Sequence, residues 1–271
     1  MALPKLIASD LDGTLLLEGT RALSEKALKL IREYIDRGGI FVASSGRQYE
    51  NIRNIFSPIR DEIGYICFSG GLCLYGGETV YERCVEPELA QELVSDIEGT
   101  DGCEAMLSVR GAEMITPKEP QMYRYLTESV GAYTTVTDDL SRVRDGIYKV
   151  SLYNKDAVID REYWKEKYSS RCDVLNSGSV WIDFMPTGVD KGSALRALLH
   201  KLGIDPRDCV AFGDNENDKG MLQLVGCPVV MNHSDPELRT IGKYTADKVE
   251  DILEDILDAS SKELNAKGTI A

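Results

Sequence analysis

Histidine is almost absent from this chain: two occur in 271 residues, His200 and His233. Schemes that need several histidines, such as phosphohistidine or Ser-His-Asp chemistry, therefore have little to draw on. Basic residues are in deficit, 31 Lys and Arg against 45 Asp and Glu, for a formal charge of -14. That balance argues against nucleic acid as a partner, since nonspecific binding depends on neutralising phosphates. No stretch approaches the roughly 18 uninterrupted apolar residues of a membrane span, and no apolar segment follows a basic start at the N-terminus. No membrane association is expected, and no segment marks an obligate protein partner.

The seven cysteines (Cys67, Cys73, Cys84, Cys103, Cys172, Cys209 and Cys227) contain no C-x-x-C pair. Neither a zinc site nor a disulfide framework is expected from that spacing. Cys67 and Cys209 lie in apolar runs, where a free thiol acts as a small hydrophobe, and a reducing cytoplasm is the fitting compartment. Repeats and low-complexity linkers are also lacking, and Asn232-His233-Ser234 reads as a chance sequon.

What is present suits a globular protein of two domains: 43% hydrophobic and 28% charged residues over a length generous for one core. Leu6-Ile7-Ala8, Ile40-Phe41-Val42-Ala43 and Tyr65-Ile66-Cys67-Phe68 read as buried strands. Between them Ser24 can cap a helix carrying Ala27, Leu28, Ile31, Tyr34 and Ile35 at the 3.6 period, and Tyr49, Ile52, Ile55 and Phe56 line another. The rhythm returns late in the chain, with a helix from about Asp190 to Leu202 closed by Gly203. The strand Cys209–Phe212, a helix with Met221, Leu222 and Val225, two short strands at Val229–Met231 and Tyr244–Ala246, and a closing helix from Val249 follow. Beyond about Ser260 the polar tail is expected to fray.

The middle of the chain differs. After a helix over Glu88–Ile97, segments such as Ala132–Val136, Tyr148–Tyr153 and Val180–Phe184 are rich in Thr, Tyr and Val. Their alternation suggests antiparallel strands with one face covered by helices. The expected architecture is α/β: a Rossmann-like parallel-sheet core, residues 1–83 plus 186–271, with an inserted α+β domain at 84–185.

Ligands of open parallel sheets bind beyond the carboxyl ends of the strands. Four polar clusters fall at such ends: Asp10-Leu11-Asp12-Gly13-Thr14, Ser45-Gly46-Arg47, Ser69-Gly70-Gly71, and Gly213-Asp214-Asn215-Glu216-Asn217-Asp218. Asp10 and Asp12 would converge on one face if the strand ran through both. Calcium loops of the EF-hand type are excluded, since such a loop needs Gly at its sixth position and Glu at its twelfth. Counting from Asp214 gives Lys219 and Val225, and from Asp10 gives Leu15 and Arg21.

In order along the chain, Asp10-Leu11-Asp12-Gly13-Thr14, Ser45-Gly46-Arg47, Lys191 in Gly188-Val189-Asp190-Lys191-Gly192, and the Gly213–Asp218 run closely resemble the four motifs of the haloacid dehalogenase superfamily. The closest likeness is to its Cof-type hydrolases with a large inserted cap. The resemblance implies a phosphatase of small phosphorylated metabolites, sugar phosphates among them, in the cytoplasm, with Mg²⁺ as cofactor. Asp10 is then nucleophile and metal ligand, and Asp12 is acid and base with its carbonyl on the metal. Asp214 completes the metal site, with Asn217 and Asp218 behind it. Ser45 and Lys191 act on the phosphoryl group, and Gly46, Arg47, Ser69 and Gly70 border the substrate. The inserted domain would close over the site, with Arg124, Lys149, Asn176, Ser177 and Asp183 as polar candidates for substrate contact.

Three departures stand out: Ser45 where Thr is frequent, Ser69-Gly70-Gly71 where relatives often carry Asn-Gly-Ala, and no Glu-Asp-Gly-Val near the C-terminus. Asp12 favours phosphotransfer over carbon-halogen cleavage, because expelling an alkoxide needs an acid. A phosphomutase of the same superfamily and a noncatalytic phosphometabolite-binding protein are the alternative readings.

Overall fold

The structure, a computed structural model, describes residues 3–16 and 22–267, with side chains described as far as residue 259. In chain order the elements begin β1 (Leu6–Asp10), α1 (Glu25–Asp36), β2 (Ile40–Ser44), α2 (Tyr49–Ile55), β3 (Gly64–Cys67), β4 (Leu72–Tyr75) and β5 (Glu78–Glu82). They continue with α3 (Pro87–Glu98), β6 (Glu104–Val109), β7 (Ala112–Ile115), α4 (Pro120–Arg124), β8 (Thr134–Val136), β9 (Ile147–Tyr153), α5 (Arg161–Tyr168), β10 (Asp173–Asn176) and β11 (Trp181–Met185). The last set is α6 (Lys191–Leu202), β12 (Cys209–Gly213), α7 (Lys219–Leu224), β13 (Cys227–Met231), α8 (Pro236–Arg239), β14 (Tyr244–Ala246) and α9 (Val249–Lys267). α9 passes the expected end near Ser260.

Two compact units result: Met1–Ser45, Ile52–Tyr81 and Asp190–Ala271 form the first, and Gly46–Asn51 with Glu82–Val189 the second. The segment Gly46–Asn51 thus groups with the inserted residues.

The first unit holds an eight-stranded sheet in the order β14-β13-β12-β1-β2-β3-β4-β5. The six strands from β14 to β3 run parallel, and β4 turns back antiparallel on β3. The α/β class and parallel core agree with the sequence reading, whereas the β4 and β5 edge was not anticipated. Leu6 and Ala8 of β1 point to the face covered by α6 and α7, where Ala194, Leu195, Leu198, Met221 and Leu222 meet them in one core. By strand alternation Ile7 and Ser9 face the other way. Local chemistry sets the helix ends. The Ser24 side chain accepts from Ala27 N to start α1. Asp190 and Ser193 form a reciprocal cap at the start of α6, which Gly203 closes in a left-handed turn at φ 64°.

The second unit is a six-stranded sheet, β10-β11-β9-β6-β7-β8, mostly antiparallel, with β7 and β8 parallel. One face is apolar: Ala105, Leu107, Val150, Leu152, Ile182 and Phe184 pack with Leu89, Leu93 and Ile97 of α3 and with Trp164 and Tyr168 of α5. The opposite face buries charge. Asp183 accepts from Lys149 Nζ at 3.0 Å, Ser151 Oγ at 2.5 Å and Ser177 Oγ at 2.6 Å. Glu113 accepts from Ser108 Oγ at 2.6 Å. Burial pushes the Glu113 carboxyl up to about 7 even though Lys149 opposes it. Of the five polar candidates in this domain, Lys149, Ser177 and Asp183 meet here, Arg124 is exposed, and Asn176 accepts from Arg161 Nη1 at 2.5 Å.

Candidate active site

Each strand-end cluster of the first unit has a defined local geometry. β1 ends at Asp10, so the premise that one strand carries both Asp10 and Asp12 does not hold; Asp10 is buried and Asp12, in the following turn, is exposed. The chain folds back there through hydrogen bonds from Thr14 N and Leu16 N to Leu11 O at 3.1 and 2.7 Å. Gly13 allows this course: its φ is +89°, and a Cβ would come within 2.5 Å of Asp214 Oδ2. Thr14, quoted in the sequence motif without a role, donates from Oγ1 to Asp214 Oδ1 at 2.9 Å.

Ser45 follows β2 and is buried; its backbone N donates to Ile66 O at 2.9 Å and its carbonyl accepts from Ser69 N at 3.1 Å. Phe68 and Ser69 hold left-handed φ values of 51° and 53°, unusual for residues with side chains. Such strain collects at functional positions. Gly70 continues at φ +109°, where a Cβ would lie 2.1 Å from Asp190 O, so this turn sits hard against the start of α6.

That start carries Lys191, fully buried. Its Nζ donates to Asp10 Oδ1 and to Asp218 Oδ1, each at 2.6 Å. Asp218 is also buried and uses Oδ2 to accept from Asp214 N at 3.0 Å and Asn215 N at 3.1 Å, which fixes the turn after β12. α6 and α7 can bring these residues together because Gly192 faces the backbone of Gly220, 2.4 Å from where a Cβ would stand. Asn217 is exposed on the same turn. His233, one of the two histidines, places Nε2 3.5 Å from Asp214 Oδ2.

Electrostatics single out Asp10. Burial first, then the neighbouring Asp218 charge, hold its carboxyl well above the ordinary range against the pull of Lys191. Burial would lower the Lys191 ammonium, but Asp10 and Asp218 outweigh it and raise it. Carboxylate oxygens of Asp10, Asp214 and Asp218 can be chosen within 4.8 Å of one another. Three clustered carboxylates, two of them on the one ammonium, leave negative charge in excess. Among the described residues, Asp10 Oδ2 is buried and meets no hydrogen-bond partner, and the same holds for Ser44 Oγ, its register neighbour on β2. An all-oxygen donor set with negative charge in excess suits a hard divalent cation such as Mg²⁺. The donors that fit are Asp10 and Asp214, because both Asp218 oxygens are already engaged.

Thr14, Ser44 and His233 were not assigned to the site from sequence. Thr14 carried a signal, lying within a motif already singled out; His233 carried none.

A family model described as haloacid dehalogenase-like hydrolase matches residues 7–254, and the chain belongs to that family. 5-Amino-6-(5-phospho-D-ribitylamino)uracil phosphatase YbjI of Escherichia coli (strain K12) is 26% identical over 245 residues, 89% of this chain and 90% of its own. HMP-PP phosphatase of Serratia proteamaculans (strain 568) is 26% identical over 243 residues, 88% of this chain and 87% of its own. Among solved structures, TM0651 from Thermotoga maritima matches with a TM-score of 0.82 at 24% identity, covering 94% of this chain and 97% of that one. The HAD subclass IIB sugar phosphatase BT4131 matches with a TM-score of 0.77 at 18% identity, covering 92% and 98%. At such identities the structural likenesses establish the shared fold.

Proposed function

We propose that the protein is a Mg²⁺-dependent, cytoplasmic phosphatase of small phosphorylated metabolites, sugar phosphates among them, acting through an aspartyl-phosphate on Asp10. The observation that carries this reading is Asp10 itself: one carboxylate oxygen is bound to Lys191, and the other is buried without a partner among the described residues. An oxygen held in place and unengaged is what an in-line nucleophile needs. The phosphatase names of the E. coli and Serratia relatives support the reaction class.

In the first half-reaction Asp10 Oδ2 forms a bond to phosphorus as the bond to the leaving oxygen breaks, and Asp12 gives that oxygen its proton. In the second, Asp12 takes a proton from water as the water oxygen attacks phosphorus and the Asp10–phosphorus bond breaks, which restores both carboxyls and yields inorganic phosphate. Lys191 and Ser45 hold phosphoryl oxygens, and Gly46, Arg47, Ser69 and Gly70 border the ester. Asp10, Asp214 and the Asp12 carbonyl would hold Mg²⁺, with Asn217 and Asp218 supporting them from behind. When bound, the ion offsets a carboxylate–phosphate repulsion of about 4 kcal/mol per charge pair at 4 Å and an effective dielectric of 20. Residues 84–185 act as the cap domain on a catalytic core of 1–83 and 186–271.

The test is phosphate release from a broad panel of sugar and nucleotide phosphates with Mg²⁺, with and without a chelator. Release that the chelator abolishes and added Mg²⁺ restores is expected. A purified protein that liberates no phosphate from any member of the panel overturns the reading.

A further inference from the structure

One more strand end of the first unit carries a side chain that the catalytic scheme leaves unused. β13 runs parallel to β12 in the register Phe212↔Val229 and Gly213↔Val230, so the turn after β13 lies beside the turn that bears Asp214. Hydrogen bonds on both sides of His233 fix that turn. Asn232 N donates to Ala246 O at 2.8 Å and Asn232 Nδ2 to Asp247 Oδ1 at 2.7 Å, while Ser234 N donates to Met231 O at 3.1 Å. His233 is thereby presented with Nε2 3.5 Å from Asp214 Oδ2, and its side chain is 54% exposed against 14% for Asp214. A half-open imidazole borders a largely covered carboxylate.

The two oxygens of Asp214 have different surroundings. Oδ1 accepts from Thr14 Oγ1 at 2.9 Å, which leaves Oδ2 as the oxygen for an ion. Gly13 keeps Oδ2 uncovered, since a Cβ there would stand 2.5 Å from it. This is also the oxygen that His233 faces. Two atoms bound to one ion at about 2.0–2.2 Å stand about 3.0 Å apart in an octahedron and about 3.4 Å apart in a tetrahedron. The 3.5 Å between Oδ2 and Nε2 is close to that span. A second observation in the same cluster points to an ion: Asp10 Oδ2 is buried and has no partner among the described residues. The carboxylate group that gathers within 4.8 Å holds Asp10, Asp214 and Asp218 without His233, so sharing an ion with Asp10 takes a turn of the imidazole. Exposed side chains change rotamer within nanoseconds.

Donor chemistry decides which ions gain from the nitrogen. Mg²⁺ takes oxygen ligands and keeps several waters, so an imidazole adds little to its binding. Fe²⁺, Ni²⁺ and Zn²⁺ are well served by imidazole.

We propose that His233 is a further ligand of the cation site, adding Nε2 to an ion held by Asp10 and Asp214 when that ion is a later first-row divalent metal. The site gains affinity for such ions that it does not gain for Mg²⁺. This rests on the cation site of the phosphatase reading. The experiment takes the untagged full chain, stripped with chelator, as wild type, His233→Ala and His200→Ala. It measures the Kd of Ni²⁺ and of Mg²⁺ by calorimetry and records nickel-edge X-ray absorption, which registers an imidazole ligand. His233→Ala is expected to raise the Ni²⁺ Kd by at least about tenfold, the scale of losing a contact in a metal site. The imidazole signature should disappear, and the Mg²⁺ Kd should stay within about twofold. His200, exposed on α6, controls for binding at any surface histidine, and its removal is expected to change neither value. Should His233→Ala fail to fold, His233→Asn is used, which keeps a polar side chain beside Asp214 but supplies no imidazole, and the same selective loss is expected. An equal loss for both ions means that His233 only orients Asp214 and overturns the proposal. An unchanged Ni²⁺ Kd, or a loss shared by His200→Ala, overturns it too. A wild type that binds Ni²⁺ through His233 but releases no phosphate overturns the phosphatase reading alone. Mg²⁺-dependent phosphate release with Ni²⁺ binding indifferent to His233 overturns this proposal alone, and a wild type that binds neither ion overturns both.

Discussion

Lys191 Nζ donates to Asp10 Oδ1 at 2.6 Å, across 181 positions of sequence, and this contact makes the two oxygens of Asp10 unequal. One is an anchored acceptor; the other is buried and, among the described residues, unengaged.

Asp10→Asn should retain the fold and lose phosphate release. The substitution removes one of three clustered carboxylates, so relief of like-charge repulsion offsets the weakened bond to Lys191. Activity is expected to fall by at least about a thousandfold, as for removal of a covalent nucleophile. Phosphate release and a thermal melt on the same preparation check both halves.

Lys191→Met should be a stability variant before it is an activity variant. Lys191 and Asp218 are fully buried, and Asp10 nearly so. Removing the ammonium leaves two buried carboxyls without their cation, a loss of about 3–5 kcal/mol. Denaturant unfolding in the presence of chelator measures it, and added Mg²⁺ is expected to recover part of the loss by binding only the folded state.

Thr14→Val should weaken the metal site while leaving the fold intact. The hydroxyl fixes Asp214 Oδ1, and groups that orient a ligand carboxylate typically contribute about 10–100-fold in metal affinity. The expected result is a shift of that order in the Mg²⁺ concentration for half-maximal activity. Maximal activity at saturating Mg²⁺ should be nearly unchanged.

Glu113→Gln should flatten the pH dependence of stability. The Glu113 carboxyl is pushed by burial from 4.5 up to about 7 in the folded protein. Between those values the folded state keeps a proton that the unfolded state releases, so this group's contribution falls as pH rises from about 4.5 to about 7 and is level above that. The variant should match wild type near pH 5 and exceed it at pH 8, by about 3 kcal/mol as an upper bound. Denaturant unfolding at the two pH values gives the comparison.

Much of the fold was legible because its signals are local. Ser24, Asp190 and Gly203 mark helix ends through bonds to residues only a few positions away. The buried parallel strands stand out as short apolar runs. The strands β4, β6 and β7 were harder to see: β4 and β7 have four residues each, and on β6 and β7 one face is apolar while Ser108 and Glu113 on the other form a buried polar pair. The grouping of Gly46–Asn51 with the inserted unit was not legible either, since Gln48 and Asn51 find their partners at Tyr133 and Gly131, 85 and 80 residues away.

By itself the sequence determined which residue types stand at the ends of the strands, and hence the family and the class of chemistry: carboxylates after β1 and β12, a hydroxyl after β2, a lysine opening a late helix. Strand alternation and turn preference act over a few residues, so these positions could be read in a line. The tertiary structure alone decided the pairing. It joined Lys191 to Asp10 and Asp218, tied Thr14 to Asp214 across 200 residues, brought His233 beside Asp214, and left one oxygen of Asp10 without a partner among the described residues. The physical reason is that parallel strands can be joined only by crossovers, so the registers of β12 on β1 and β1 on β2 place residues far apart in sequence at one edge of the sheet.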